Sequence, residues 1–142
     1  TKTFLDSITK YYKNYKATEF EKINHSLVKE DAIKFNFDNF SFDKNLVVLR
    51  GWAFDENNIQ GDNFETFLIV QNEINSFKYK LNTEQRPDIS EFFKKTNLDN
   101  SGFKSVIPTD KLPNGNYAIG IMIKRKDSDF HYIMSEKNIT VK

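Results

Sequence analysis

The chain has no cysteine, which removes a disulfide framework, thiolate zinc sites and thiol catalysis at once. It leaves the compartment open, because many exported bacterial proteins also lack cysteine. Glycine and proline are sparse, five and three residues in 142. The glycines form neither a G-x-G-x-x-G turn nor a phosphate loop, and no G-x-S-x-G elbow is present. Histidine occurs twice, at His25 and His131, so an activated serine has little choice of base. Both histidines read as solvent-exposed: His25 lies in a polar stretch, and His131 alternates with Phe130 and Tyr132 and so points away from their face.

An excess of one charge is missing too. Lys and Arg number 21 against 20 Asp and Glu, so no net field draws nucleic acid or an acidic membrane. The densest basic run, Lys124-Arg125-Lys126, is answered by Asp127 and Asp129. No apolar run approaches the ~18–20 residues that span a bilayer. The chain opens at Thr1 without a methionine, as an excised fragment would, so targeting signals are expected outside it.

What is abundant is phenylalanine, with 14 residues against one tryptophan. That supplies a core, and a chain of this length fits one domain plus an appendage. Phe4, Leu5, Ile8, Tyr11, Tyr12 and Tyr15 recur at helical spacing and predict an N-terminal amphipathic helix. From 17 to 31 only Phe20, Ile23, Leu27 and Val28 keep that spacing, which predicts a further helical turn or two and a linker. The expected organisation is a helical lead or stalk over residues 1–30 and a sandwich domain over 31–142.

From Ile33 the period becomes two. Ile33, Phe35 and Phe37 alternate, then Phe40 and Phe42 resume out of phase, the signature of a bulge or bend in an edge strand. Residues 46–54 are apolar on both faces apart from Arg50, as a central strand requires. Residues 64–70 form another strand, and Phe77, Tyr79 and Leu81 alternate cleanly with Lys78 and Lys80. A short helix follows, with Asp88 as cap, Glu91 three residues later, and Phe92 and Phe93 as its buried face. Strands at 103–107, 117–124, 130–134 and 139–141 close the chain. Seven or so short strands at regular spacing predict a sandwich rather than βαβ units.

The candidate chemistry is modest. The loop Asp55-Glu56-Asn57-Asn58-Ile59-Gln60-Gly61-Asp62 is rich in oxygen donors, with Asp55, Asn57 and Asp62 as calcium ligands in an irregular site. It departs from the EF-hand: Ile59 takes a ligand position and Thr66 stands where the bidentate glutamate belongs. Paired carboxylates of a glycosidase would come from Asp55, Glu56, Asp62 and Glu65, which look ordinary and exposed. Sugar binding would use Trp52, Tyr79, Tyr117 and Tyr132 as platforms, although Trp52 in an apolar strand reads as core. Arg86-Pro87-Asp88 is a more distinctive cluster: Arg86 is expected to pair with Asp88 or with Asp99 in a structural role, and a ligand-binding Arg86 is the minor alternative.

Arg50-Gly51-Trp52-Ala53-Phe54, Arg86-Pro87-Asp88-Ile89, Asn100-Ser101-Gly102-Phe103 and the run from Leu112-Pro113-Asn114-Gly115 to Ile121 follow in fixed order. In that order they resemble an uncharacterised β-sandwich module of bacterial cell-envelope and membrane-anchored proteins, sometimes attached to polysaccharide-related membrane enzymes. The resemblance covers about residues 35–141. It implies an extracytoplasmic accessory domain and carries no catalytic residues.

The resulting expectation is a mainly β chain: an immunoglobulin-like antiparallel β-sandwich with an N-terminal α-helix and one short inserted helix. Its expected role is a non-enzymatic interaction or spacer domain of an envelope protein, with a carbohydrate-binding module as the alternative and a small hydrolase as a remote third. The weak ligand-binding candidates are Tyr79, Arg86, Asp88, Tyr117 and Tyr132. No cofactor is expected, and no metal beyond the irregular calcium loop. The partner would be a cell-surface polysaccharide or another envelope protein. Nucleic acid is not expected, and a membrane only through a segment outside this chain. An enzyme would instead gather two carboxylates, or a carboxylate and His131, in one cleft.

Overall fold

The computed structural model describes residues 20–57, 64–125 and 129–142. Among them ten strands form: β1 (Phe20–Lys22), β2 (Leu27–Lys29), β3 (Ile33–Asp43), β4 (Leu46–Asp55), β5 (Phe64–Gln71), β6 (Ser76–Lys80), β7 (Thr83–Glu84), β8 (Gly102–Pro108), β9 (Gly115–Arg125) and β10 (Phe130–Val141). One helix, α1 (Pro87–Phe93), and a 3-10 turn (Asp99–Ser101) lie between β7 and β8. The strands make two sheets, one ordered β1-β6-β5-β9-β10-β2 and the other β3-β4-β8-β7. The chain is a mainly β, two-sheet sandwich.

The period-two pattern explains the layering. Leu68 and Val70 of β5, Phe77 and Tyr79 of β6, and Tyr117, Ile119, Ile121 and Ile123 of β9 face one way. They meet Val47, Leu49 and Ala53 of β4 and Phe103 and Ile107 of β8 in a single buried core. The expected phase slip is real: the β3–β4 register shifts between Phe37 and Asn39, on a strand that edges its sheet. Opposite the bulge, Gly51 is required, because a Cβ there would sit 2.1 Å from the Asn36 carbonyl oxygen. The expected central strand is β4, between β3 and β8.

The helical reading fails where it can be compared. Phe20–Lys22 and Leu27–Lys29 are strands, not helical turns. Four large apolar residues in fifteen make a weak helical stripe, and sheet pairing outweighs it. Phe20 lies 5.2 Å from the Phe77 ring and 4.8 Å from that of Tyr79, centroid to centroid. The amphipathic helix expected over the first sixteen residues lies outside the described residues.

β1 and β2 occupy opposite edges of one sheet, and only residues 23–26 join them. An extended chain from Lys22 to Leu27 covers at most about 18 Å. Six strands laid flat at ~4.8 Å spacing would hold the edges about 24 Å apart. The sheet therefore curls toward the connecting segment, which crosses the face opposite the main core. There Phe67, Ile69 and Met122 are buried beneath Ile23, Leu27, Phe130, Tyr132 and Met134. Lys78, which alternation alone would leave in solvent, is 7% exposed under this cover.

The inserted helix is present, with different ends and a different face. Its N-cap is Arg86, Pro87 is the first helical residue, and no side chain caps it, so the expected capping box does not form. Proline suits that position because the first helical N–H groups have no intrahelical partner. Ile89 and Phe93 face inward, while Phe92 is 76% exposed. Lys94 ends the helix in the left-handed region (φ 53°).

Candidate functional site

Tyr79 and Tyr117 project into the core by alternation on β6 and β9, at 2% and 1% exposure. Their hydroxyls donate to backbone carbonyls, Tyr79 to Pro108 at 3.3 Å and Tyr117 to Pro113 at 2.6 Å. Burial pushes both hydroxyls above the usual tyrosine range, and at Tyr79 the nearby Asp110 charge adds to it. Neither ring offers a face to a ligand. Tyr132 is half-buried in the second apolar cluster. Trp52 also packs, at 5.8 Å from Phe54 and 5.3 Å from Phe93 between ring centroids.

Arg86 is the centre of a charged cluster. Its Nε and Nη2 donate to the two Asp88 oxygens, each at 2.9 Å, and its Nη1 donates to Asp38 Oδ2 at 2.6 Å. Its backbone N–H donates to the Asp99 carbonyl at 2.7 Å. A Cβ on Gly102 would fall 2.2 Å from Arg86 Cγ, so the stem lies flat on that glycine. The Asp88 hydrogen bonds hold the guanidinium protonated well above its ordinary range, and the guanidinium holds the Asp88 carboxyl below the ordinary carboxylate range. Alongside, Arg50 Nε donates to Glu84 Oε1 at 2.7 Å. With its donors engaged inside the fold, Arg86 fixes the 86–102 excursion onto the β3 bulge.

The histidines are not the free side chains expected. His25 stacks on Phe130 at 3.8 Å, with Nδ1 3.3 Å from its neighbour Ser26's carbonyl oxygen and Nε2 3.1 Å from Lys78 Nζ. Nδ1 therefore carries the hydrogen and Nε2 accepts from the ammonium. Lys78 also lies over the Phe130 and Phe67 rings, 4.5 and 5.2 Å from their centroids, and 3.9 Å from Glu21. His131 does point away from Phe130 and Tyr132, as alternation predicts, but toward Asp55 rather than solvent. Its Nδ1 lies 3.4 Å from Asp55 Oδ2.

Asp55, foreseen as an exposed loop ligand, is a buried strand end whose side chain is 2% exposed. Its Oδ1 accepts the Asn57 N–H at 2.9 Å, and the Asn57 residue itself is exposed. Asp62 lies outside the described residues. Glu30, Asp55 and His131 bring one ligand-type atom each to within 4.8 Å of one another, a grouping the linear sequence does not signal. Glu30 reaches it because its N–H donates to the Tyr132 carbonyl at 2.9 Å, extending the parallel pairing of β2 with β10. Elsewhere, an open groove of about 420 Å³ runs between β3 and the β10 irregularity, lined by Phe35, Asn36, Phe37 and Met134 to Lys137. Among the described residues, no helix is long and apolar enough to cross a membrane. No protein family, curated protein or solved structure matches the chain.

Proposed function

We propose that this chain is a non-enzymatic, immunoglobulin-like accessory domain that acts as an interaction or spacer module on the extracytoplasmic side of a bacterial envelope protein. The immunoglobulin-like part rests on strand order. Naming β3 to β10 in sequence as A, B, C, C′, D, E, F and G gives sheets A-B-E-D and C′-C-F-G, the order of that fold. The Tyr117 hydroxyl bond to the carbonyl four residues back, at the start of the F-like strand, has the form of a tyrosine corner.

The observation that carries the module reading is where the polar and aromatic candidates spend their contacts. Tyr79 and Tyr117 fill the core, and Arg86 is bound to Asp88 and Asp38. Side chains that spend their contacts inside the fold in this way support a scaffold role. The pairing of Asp55 with His131 is what an enzyme reading would need. The Asp55 carboxylate is 2% exposed and carries the Asn57 N–H as well as facing His131, as an orienting or ligating partner would.

Two measurements test this reading. The 142-residue chain on a glycan array is expected to be silent; saturable, glycan-selective binding would instead establish a carbohydrate-binding module. A membrane-impermeant amine label on intact cells is expected to reach the exposed lysines of the domain in its native protein. Protection until lysis would refute the extracytoplasmic placement.

A further inference from the structure

Three segments converge at one end of the sandwich. Glu30 follows β2, Asp55 closes β4 and His131 is the second residue of β10. Two belong to the six-stranded side and one to the four-stranded side. We propose that Glu30, Asp55 and His131 form a binding site for a divalent transition-metal ion, zinc being the best match, which fastens the two sheets together.

The spacing favours an ion over a hydrogen bond. His131 Nδ1 and Asp55 Oδ2 are 3.4 Å apart, longer than the ~2.7–2.9 Å of a charge-assisted hydrogen bond. A tetrahedron with metal–ligand bonds of about 2.0–2.1 Å has edges of about 3.3–3.4 Å. The third donor, from Glu30, lies within 4.8 Å of the other two, and Glu30 Oε2 accepts the Ala32 N–H at 3.3 Å, which holds its carboxylate beside them.

Asp55 is also oriented as a ligand should be. The Asn57 N–H holds Oδ1 at 2.9 Å, which turns Oδ2 toward His131. Outer hydrogen bonds of this kind fix the ligating carboxylates of metal sites. Two carboxylates and a neutral imidazole around a dication give a site without net charge. The donor chemistry selects the metal: one nitrogen and two oxygens suit zinc, whereas calcium takes six to eight oxygens and does not favour imidazole.

The test uses the untagged 142-residue chain, titrated calorimetrically with zinc chloride and, separately, calcium chloride. One zinc per chain and no calcium response are expected. His131→Gln and Glu30→Gln should each lower zinc affinity by at least about tenfold, with unchanged far-UV circular dichroism. Glu30 is half-exposed, so its variant keeps the test open should an Asp55 variant fail to fold. The chain has two histidines, so ring-nitrogen NMR separates them, with His25→Ala assigning the pair. Zinc should move the His131 Nδ1 signal and leave His25 in place. Absence of saturable zinc binding, binding retained in His131→Gln, or a zinc shift confined to His25 would each overturn the proposal.

Discussion

Arg86 Nη1 reaches Asp38 Oδ2 at 2.6 Å across 48 residues of sequence, tying the segment before α1 to the bulge of an edge strand. Asp38 is the extra residue of that bulge, between Phe37 and Asn39. An edge strand that bends is poorly suited to pair with another chain. The contact thus links a local register change in β3 to the placement of the whole 86–102 excursion.

Removing the guanidinium should be costly in proportion to that linkage. Exposed ion pairs contribute ~0–1 kcal/mol, and breaking a buried pair costs ~3–5 kcal/mol. Arg86 falls between, with its own side chain largely buried and Asp38 partly so. Arg86→Ala is expected to lower unfolding free energy by about 2 kcal/mol in urea titration. Arg86→Lys should recover less than half of the loss, because an ammonium cannot hold Asp88 bidentately and reach Asp38 together. A lysine variant as stable as the parent chain would refute this account.

The same cluster has an acid limb. The Arg86 hydrogen bonds hold the Asp88 carboxyl below its ordinary value of about 3.9. Because the folded value is depressed, the stabilisation is fully present above the unfolded value and is lost as pH falls through the folded one. Carboxyl NMR should therefore show Asp88 titrating below about pH 4, and Arg86→Ala should return it toward the ordinary range. A midpoint that does not respond to that substitution would place the cause elsewhere.

How much of this could be read in advance divides by range. The bulge was legible because a one-residue insertion swaps the faces of a period-two strand, and Phe37 and Phe40 record the swap locally. Tyr79 and Tyr117, expected as ligand platforms, are buried instead; the alternation that groups Tyr79 with Phe77 and Leu81 already pointed that way. The strands around Phe20 and Leu27 were not legible, since three-residue strands exist only through the neighbours they pair with. Asp55 and His131 are 76 positions apart, and Arg86 and Asp38 are 48. Nothing near either member announces such a partner. Lys78 misled for another reason: alternation places it correctly on the outer face, but a segment from elsewhere in the chain covers that face.

The two buried hydroxyls should separate by geometry. Tyr117→Phe removes a 2.6 Å bond and leaves the Pro113 carbonyl without it, so a loss of about 1–2 kcal/mol is expected. Tyr79→Phe removes a 3.3 Å bond and should cost under about 1 kcal/mol. Both hydroxyls are held above their ordinary value of about 10, so their burial stabilises fully below it and is lost as pH rises past it. Either phenylalanine variant should therefore flatten the alkaline arm of the stability curve. Equal losses at neutral pH would contradict the ranking.

Lys78 offers the sharpest test of the segment that crosses the curled sheet. Its ammonium is held by His25 and Glu21 and by the faces of Phe130 and Phe67, with most of its hydration removed. Attraction to such partners commonly does no more than offset the desolvation of the charge. Methionine has a similar length and packs well on aromatic rings, so Lys78→Met is expected to lie within about 1 kcal/mol of the parent chain or above it. His25→Ala should instead cost about 2 kcal/mol, because the ammonium stays buried after losing an acceptor. In the Lys78→Met background that cost should shrink by about 1 kcal/mol, since no ammonium then needs His25. Chemical denaturation of the four proteins measures the cycle. A His25 penalty that is the same in both backgrounds would show that the crossing segment is held by ring stacking alone, without Lys78.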